Sequence, residues 1–217
     1  EDGIRDYKVT GVQTCALPIF VHYSTDYVFS GENKDGYSED AVPEFPVNTY
    51  GESKLAGEKV LAEISPNYYL LRTAWLYGPA YAKGYGEVKN NFVDTMLRLG
   101  SNPSASSASS EQASSGSPRS LSVVDDQFGS PTYTKDVAAA TKEIIEEGYA
   151  PSVYHVVNDG VTTWYEFAEK IFELAGLEVD LKQVPTDEYP TLAARPKYSK
   201  LLNTKGPDRK STRLNSS

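Results

Sequence analysis

Short apolar segments alternate with amphipathic segments along most of this chain, and this alternation constrains its fold more than any other feature. Residues 20–24, 68–73 and 153–157 have the length and composition of buried strands. Between them, residues 50–64 and 134–147 carry apolar side chains at helical spacing. Strands that alternate with helices form βαβ units, so the sequence predicts an α/β fold with a Rossmann-like, largely parallel sheet.

The N-termini of two predicted helices carry capping signals. Thr163 and Glu166 form a capping box at the start of a helix over residues 163–175, and Thr134 is the predicted N-cap of the helix before it. Helical spacing predicts that the helix over 163–175 buries Phe167, Ile171, Phe172 and Leu174. The remaining predicted elements are a helix over 90–99 and a strand over 121–124.

Three regions depart from the alternation. Residues 101–120 are mostly small and polar and cannot bury enough surface to offset the entropy of ordering, so we expect a disordered insertion there. Parts of residues 1–19 and the tail 207–217 resemble peptides translated from sequencing-adaptor DNA, so both ends are expected to be non-native. Between them we expect the remaining part of a nucleotide-binding domain over 20–150 and a smaller, mainly substrate-binding region over 151–206.

Composition disfavours several classes of function. The 21 basic and 30 acidic residues give a net charge of −9, which repels the phosphate backbone of nucleic acids. No apolar run approaches the roughly 20 residues of a membrane span, and no signal peptide is recognisable, so we expect a cytoplasmic protein without membrane partners. Cys15 is the single cysteine and no Cys/His cluster has zinc-site spacing, so no disulfide and no metal site are predicted.

Tyr50 and Lys54 are the first candidates for chemistry. They lie four residues apart on a predicted helix and therefore on one face of it. An ammonium beside a phenol favours the phenolate and brings the phenol proton within reach of transfer near neutral pH. The same spacing recurs at Tyr85 and Lys89, but in a glycine-rich segment where no helix would align the pair, so the context favours Tyr50.

Thr25 and Asp26 follow the first predicted strand. Open α/β sheets bind ligands at the carboxyl ends of their strands, where a hydroxyl can polarise a carbonyl group. Taken alone, the two residues would more simply end the strand and begin a turn.

Six segments, in their order along the chain, resemble the dTDP-4-dehydrorhamnose reductase family of extended short-chain dehydrogenases/reductases. They are STDYVF (24–29), NTYGESKLAGEK (48–59), LLRTAWLYG (70–78), NNF (90–92), LSVVDDQFGSPTYTKDVA (121–138) and YPTLAARPKYSKL (189–201). The resemblance covers most of residues 20–206 and is interrupted by the serine-rich segment.

The resemblance implies reduction of the 4-keto group of dTDP-4-dehydro-L-rhamnose by NADPH or NADH, the final step of dTDP-L-rhamnose synthesis. Tyr50 would protonate the oxygen, and Lys54 would bind the nicotinamide ribose and tune Tyr50. Thr25 would hydrogen-bond the reacting oxygen. The resemblance also allows a homodimer of the intact enzyme. The family is associated with Mg²⁺, but no residue of this sequence can be assigned to it.

The same resemblance implies four substrate-binding residues. Asp26 matches a position that contacts the sugar, and Trp75 matches a residue that packs on it. Asn91 and Arg195 fall in motifs that line the sugar-nucleotide pocket, where the guanidinium fork suits a diphosphate. Without the resemblance, Trp75 would be read as a core residue and Arg195 as a member of a surface ion pair.

A strand, a glycine-rich turn and a helix normally begin a dinucleotide-binding fold, and this arrangement is missing here. Before Phe20 the sequence has only the isolated Gly3 and Gly11. We therefore expect an N-terminally truncated, incomplete sheet and an inactive fragment. An open strand edge should also make it poorly soluble.

Two other functions remain open. One is a sugar-nucleotide epimerase or dehydratase of the same superfamily. The other is a non-catalytic regulatory subunit like that of methionine adenosyltransferase, which resembles this reductase family; the joint presence of Tyr50, Lys54 and Thr25 argues against it.

Overall fold

The computed structural model describes residues 19–65, 67–79, 90–101, 120–189 and 191–207. The expectations for residues 1–18, 102–119 and 208–217, and for Tyr85 and Lys89, lie outside the described residues. Ser101 and Ser120, the two ends of the expected insertion, belong to a helix and a strand.

Single α-helices alternate with groups of one to three strands along the described residues. The α-helices are α1 (Thr49–Ile64), α2 (Phe92–Ser101), α3 (Thr134–Glu146) and α4 (Trp164–Ala175). The strands are β1 (Phe20–Thr25), β2 (Tyr68–Thr73), β3 (Leu76–Tyr77), β4 (Ser120–Val124), β5 (Phe128–Gly129), β6 (Thr132–Tyr133), β7 (Val153–His155), β8 (Thr162–Thr163) and β9 (Asp180–Val184). Short 3-10 helices occupy Asp26–Val28 and Thr186–Glu188.

A parallel sheet with the strand order β1-β2-β7 forms the centre of the fold, which confirms the predicted α/β class. Successive side chains of a strand point to opposite faces of its sheet. On β2, Arg72 therefore faces α1, where it binds Glu58, while Tyr69 and Leu71 pack with α3. The sheet thus has a helix on each face, and the carboxyl ends of its strands are left for a ligand site.

A second core lies beside this sheet. It joins α2 and α4 to the parallel pair β4 and β9, around buried Met96, Ile171 and Phe172. Segments on both sides of residue 150 therefore build this smaller region. The strand β7 and the segment near Leu201, although they fall after residue 150, pack with the central sheet.

The capping box of α4 is confirmed, and two finer predictions are wrong. The Thr163 hydroxyl accepts from the Glu166 amide (3.2 Å), and the Glu166 carboxylate accepts from the Thr163 amide (3.0 Å). Thr134 lies inside α3, because β6 runs directly into the helix and Tyr133 becomes its N-cap. Leu174 is exposed, because at about 100° per residue it lies about 200° around α4 from buried Phe172.

Candidate functional site

A cavity of about 460 Å³ opens at the carboxyl ends of β1 and β2, beside the start of α1. Six of the seven site residues predicted from the sequence line it: Thr25, Asp26, Tyr50, Lys54, Trp75 and Arg195. These residues come from four separate parts of the chain, so the fold brings them together. Thr73 and Trp164, which the sequence did not single out, line the cavity as well.

The first turn of α1 holds Tyr50 at the cavity. Asn48 caps this helix, because its Oδ1 accepts from the Gly51 amide at 2.9 Å. A Cβ atom on Gly51 would lie 2.2 Å from the carbonyl oxygen of Tyr27, so only glycine lets α1 come this close to the turn after β1. The Tyr50 ring meets the Tyr27 ring edge-on, with centroids 5.7 Å apart.

Lys54 lies one helical turn after Tyr50 and is tied to the sheet. Its ammonium donates to the carbonyl oxygen of Tyr23, in β1, at 3.1 Å. An ammonium has three protons, so two remain for other acceptors at the cavity. The predicted common face of Tyr50 and Lys54 is therefore the face that lines the cavity.

Thr25 ends β1, Asp26 begins the 3-10 helix that follows it, and both residues are buried. The Thr25 hydroxyl donates to Asp26 Oδ1 at 2.9 Å and accepts from the Tyr27 amide at 3.3 Å. Burial raises the pKa of Asp26 to about 6, although the Thr25 hydroxyl and the nearby Ser199 hydroxyl partly oppose this rise. The Ser199 hydroxyl itself donates to the carbonyl oxygen of Phe128, and Asp26 Oδ2 has no hydrogen-bond partner among the described residues.

Arg195 lies on a loop that is fastened to the start of α1. The side-chain amide of Asn48 donates to the carbonyl oxygen of Ala194 at 2.7 Å, so one asparagine both caps α1 and places the loop. Burial and the charge of Asp26 raise the pKa of Tyr27, and the Arg195 guanidinium beside its hydroxyl partly lowers it. The guanidinium thus reaches the site near Tyr27.

Two stacked tryptophans form another wall. The Trp75 and Trp164 rings are nearly parallel, with an interplanar angle of 5° and centroids 3.5 Å apart. Trp75 has a φ of 43°, a strained value for a residue with a side chain. A Cβ atom on Gly129 would lie 2.3 Å from the Trp75 ring, so glycine is needed behind it. The only sequence signal for Trp164 is its place directly after the capping-box threonine.

A second, mainly apolar cavity of about 260 Å³ adjoins the first. It lies among α2, β4 and the loop that carries Arg195. Phe92, Trp164 and Arg195 line both cavities, so Arg195 stands where they meet.

Asn91 lines neither cavity and caps α2 instead. Its Nδ2 donates to the carbonyl oxygen of Gly78 at 2.8 Å and to Asp94 Oδ2 at 2.7 Å, and its Oδ1 accepts from the Asp94 amide at 3.1 Å. In the predicted NNF motif it is the next residue, Phe92, that reaches the cavities.

The described residues contain no cluster of three or more His, Cys, Asp or Glu side chains able to hold a metal ion. Asp125 and Asp126 are adjacent in the chain but accept hydrogen bonds from different residues, Thr163 and Thr186. Among the helices that the structure describes, none has the length and apolarity required to cross a membrane.

A polysaccharide biosynthesis protein and a dTDP-4-dehydrorhamnose reductase are similar to this chain in sequence. Spore coat polysaccharide biosynthesis protein SpsK of Bacillus subtilis is 40% identical over 200 residues, which cover 92% of this chain and 62% of that protein. The dTDP-4-dehydrorhamnose reductase of Escherichia coli is 39% identical over 196 residues, which cover 85% and 57%. The chain therefore spans about three fifths of the length of these relatives.

Solved structures agree with this relationship. The dTDP-4-dehydrorhamnose reductase of Bacillus anthracis in complex with NADP superimposes with a TM-score of 0.70 at 41% identity, over 85% of this chain and 57% of that one. A dTDP-glucose 4,6-dehydratase of the same organism, at 18% identity and a TM-score of 0.60, shares the fold alone. Residues 13–215 match the family described as the RmlD substrate binding domain. The chain belongs to the RmlD substrate-binding domain family.

Proposed function

We propose that this chain carries the substrate-binding and proton-donating part of a dTDP-4-dehydrorhamnose reductase. The reaction is reduction of the 4-keto group of dTDP-4-dehydro-L-rhamnose with NADPH or NADH. One observation carries the proposal: Tyr50 and Lys54 from α1 and Thr25 from β1 line a single cavity at the strand ends. A cytoplasmic location and a homodimer of the intact enzyme belong to the same proposal.

Tyr50 and Thr25 act on the carbonyl oxygen. The Tyr50 hydroxyl donates its proton as negative charge develops on that oxygen, and the Thr25 hydroxyl hydrogen-bonds the same atom. Thr25 has one hydroxyl proton, which Asp26 Oδ1 accepts in the free chain. Substrate binding must therefore turn this proton from Asp26 towards the ligand.

Lys54 fits the nicotinamide ribose of a dinucleotide. Its ammonium is fixed by the Tyr23 carbonyl oxygen and has further protons for ribose hydroxyl groups. When bound, the cofactor supplies the hydride. The described residues include no glycine-rich strand–turn–helix that would hold the pyrophosphate of the cofactor. We therefore also propose that these 217 residues alone do not turn over substrate.

The nucleotide part of the substrate would occupy the second cavity. Its lining is mainly apolar, which suits the face of a base, and Phe92 and Trp164 are available for stacking. A ligand that spans both cavities would pass Arg195 at their junction, where the guanidinium would pair with the diphosphate. Trp75 would pack on the sugar and Asp26 would contact its hydroxyl groups.

Restoring a cofactor-binding part tests the proposal. The N-terminal part of the Escherichia coli relative would be joined before residue 20, and NADPH oxidation would be followed with dTDP-4-dehydro-L-rhamnose. We expect activity in this chimera and none in the 217-residue chain. Tyr50→Phe in the chimera should lower kcat at least 100-fold, because a positioned general acid contributes on the order of 10²–10⁴ in rate.

Tyr165→Phe, a change of the same size on α4 outside the lining of the first cavity, is the matched control and should leave kcat unchanged. Full activity of the Tyr50→Phe chimera would defeat the assignment. Conversion of the keto sugar without NADPH would favour an epimerase or dehydratase.

A further inference from the structure

Two neighbouring strands hold one carboxylate of α1 directly beneath the first cavity. Ser24 on β1 and Arg72 on β2 are paired in register, so their side chains lie next to each other on one face of the sheet. Both donate to Glu58: Ser24 Oγ to Oε1 at 2.5 Å, and Arg72 Nε and Nη2 to Oε1 and Oε2 at 3.0 and 2.7 Å. All three residues are buried. A single carboxylate therefore joins the helix to both strands.

This contact lies one residue before the ends of the two strands. The next register pair, Thr25 and Thr73, ends β1 and β2 and lines the first cavity. On the other side of Ser24, Tyr23 supplies the carbonyl oxygen that accepts from Lys54. Ser24 thus stands between the residue that binds Lys54 and the residue proposed to hold the reacting oxygen.

The partner of Ser24 lies on the same face of α1 as the proposed catalytic pair. Tyr50, Lys54 and Glu58 follow one another at intervals of four residues, so each lies about one helical turn from the next. Backbone hydrogen bonds make two turns of a helix move as one body. A change in how Glu58 meets β1 therefore changes the positions of Tyr50 and Lys54 relative to Thr25.

Arg72 holds Glu58 to β2 even without Ser24. Its guanidinium binds both carboxylate oxygens and is itself fixed by His155, whose Nε2 lies 3.4 Å from Nη1. A carbonyl oxygen only accepts, so His155 Nδ1, at 3.0 Å from the Leu202 carbonyl oxygen, carries the ring proton and Nε2 accepts from Arg72. The hydroxyl of Ser24 adds the link to β1.

We infer that Ser24 is a positioning residue, which acts through Glu58 to set α1 against β1 and thereby places Tyr50 and Lys54 relative to Thr25. Ser24 also borders the first cavity, but its one hydroxyl proton is donated to Glu58. The reaction that this placement serves rests on the proposed function, whereas the hold on α1 does not.

Catalysis is tested in the chimera with the restored cofactor-binding part. Ser24→Ala should lower kcat about tenfold and leave KM for dTDP-4-dehydro-L-rhamnose within about twofold, because a small displacement of a reacting group costs rate rather than binding. The solvent isotope effect on kcat should rise, since proton donation by Tyr50 becomes slower relative to the other steps. Ser24→Thr keeps the hydroxyl and should restore about half of the wild-type kcat or more.

Hydrogen exchange of the 217-residue chain separates this role from a general loss of stability. Ser24→Ala should speed up amide exchange in α1 about threefold more than in α3, because only α1 loses a link to β1.

Ser130→Ala is the matched control, because it removes an equally buried hydroxyl that donates to the Gly160 carbonyl oxygen at 2.6 Å. It should lower Tm by about 2–4 °C, the size of shift that one lost hydrogen bond gives in a chain of this length. In this control we expect equal changes of exchange in α1 and α3, and an unchanged kcat in the chimera.

Each outcome supports or overturns a stated part of the inference. Unchanged kcat of Ser24→Ala, or equal acceleration of exchange in α1 and α3, would overturn it. A raised KM with unchanged kcat would also overturn it, because the hydroxyl would then serve substrate binding. An inactive wild-type chimera would defeat the proposed function instead, and selective exchange in α1 would then still support Ser24 as the residue that holds this helix to β1.

Discussion

Asp26 shows how a single residue of the site opposes folding. Its carboxyl group is buried, and one oxygen has no partner among the described residues. Burial disfavours the charged form and raises its pKa from 3.8 to about 6. The folded chain therefore holds this proton to a higher pH than the unfolded chain does.

This raised pKa predicts a pH-dependent stability that Asp26→Asn removes. Below about pH 3 both states are protonated and the carboxyl group costs nothing, whereas above pH 6 the folded chain carries the buried charge. Relative to Asp26→Asn, the wild type should thus lose about 3 kcal/mol of unfolding free energy between pH 3 and pH 7, which urea unfolding across this range measures.

Asp180→Asn, at an exposed position in β9, serves as the control and should follow the wild-type profile. A difference between wild type and Asp26→Asn that stays constant from pH 3 to pH 7 would show that Asp26 titrates normally.

At the scale of elements, a buried ion pair fastens α1 to the sheet beneath the site. Arg72 on β2 donates to both carboxylate oxygens of Glu58, at 3.0 and 2.7 Å, and Ser24 on β1 donates to the same carboxylate at 2.5 Å. Burial lowers the pKa of His155 on β7 to about 4, so a neutral imidazole lies beside Arg72. Glu58 is one helical turn beyond Lys54 and thus holds the helix that carries Tyr50 and Lys54.

Breaking this pair should destabilise the whole chain. Glu58→Gln leaves the buried Arg72 guanidinium without its counter-charge, which costs about 3–5 kcal/mol of unfolding free energy. The matched control is Glu173→Gln, because Glu173 pairs with Lys170 on the exposed side of α4. That change should cost less than about 1 kcal/mol, since solvent screens exposed pairs. Equal midpoints in urea for the two variants would contradict this role of Glu58.

Patterns among residues close together in the sequence predicted the helices and the longer strands. The lining of the cavity depends instead on contacts between residues that are far apart in the sequence. The capping box Thr163 and Glu166 was readable because both partners lie within one helical turn. The stacking of Trp164 on Trp75 was not, because the two residues are 89 positions apart in the sequence and meet only through the fold. Asn91 and Phe92 show a related limit: a resemblance can mark a motif but cannot tell which of its side chains lines the cavity, and in this structure Phe92 does.

The remaining site residues show the same contrast between local sequence patterns and long-range contacts. Tyr50 and Lys54 were predictable as a pair by helical spacing alone, whereas Thr73 has no sequence signal of its own. Its place in the cavity wall follows only from the register of β1 and β2, which sets it beside Thr25. The short strands β3, β5, β6 and β8 were equally unpredictable, because two residues are too few to show a strand period.

At the scale of the whole molecule, β1 presents an open edge. It pairs with β2 on one side, and no strand within the described ranges pairs with its other side. Phe20 and Tyr23 are exposed on this strand, as is Ile19 directly before it, and Val60 and Ile64 are exposed on α1, the helix that follows. An unpaired edge with apolar side chains is a template for pairing with another chain. The net charge of −9 opposes such contact at long range.

We therefore predict that the 217-residue chain self-associates through β1, and more strongly as salt screens its net charge. Phe20→Lys puts a charge on the edge strand and should shift the onset of association, measured by light scattering, to a several-fold higher concentration. Val42→Lys makes the same change of charge at an exposed position outside the sheet, so it separates an effect of the edge from a general gain in solubility. If both variants shift the onset equally, association does not run through β1; a shift confined to Phe20→Lys identifies the open edge as the contact.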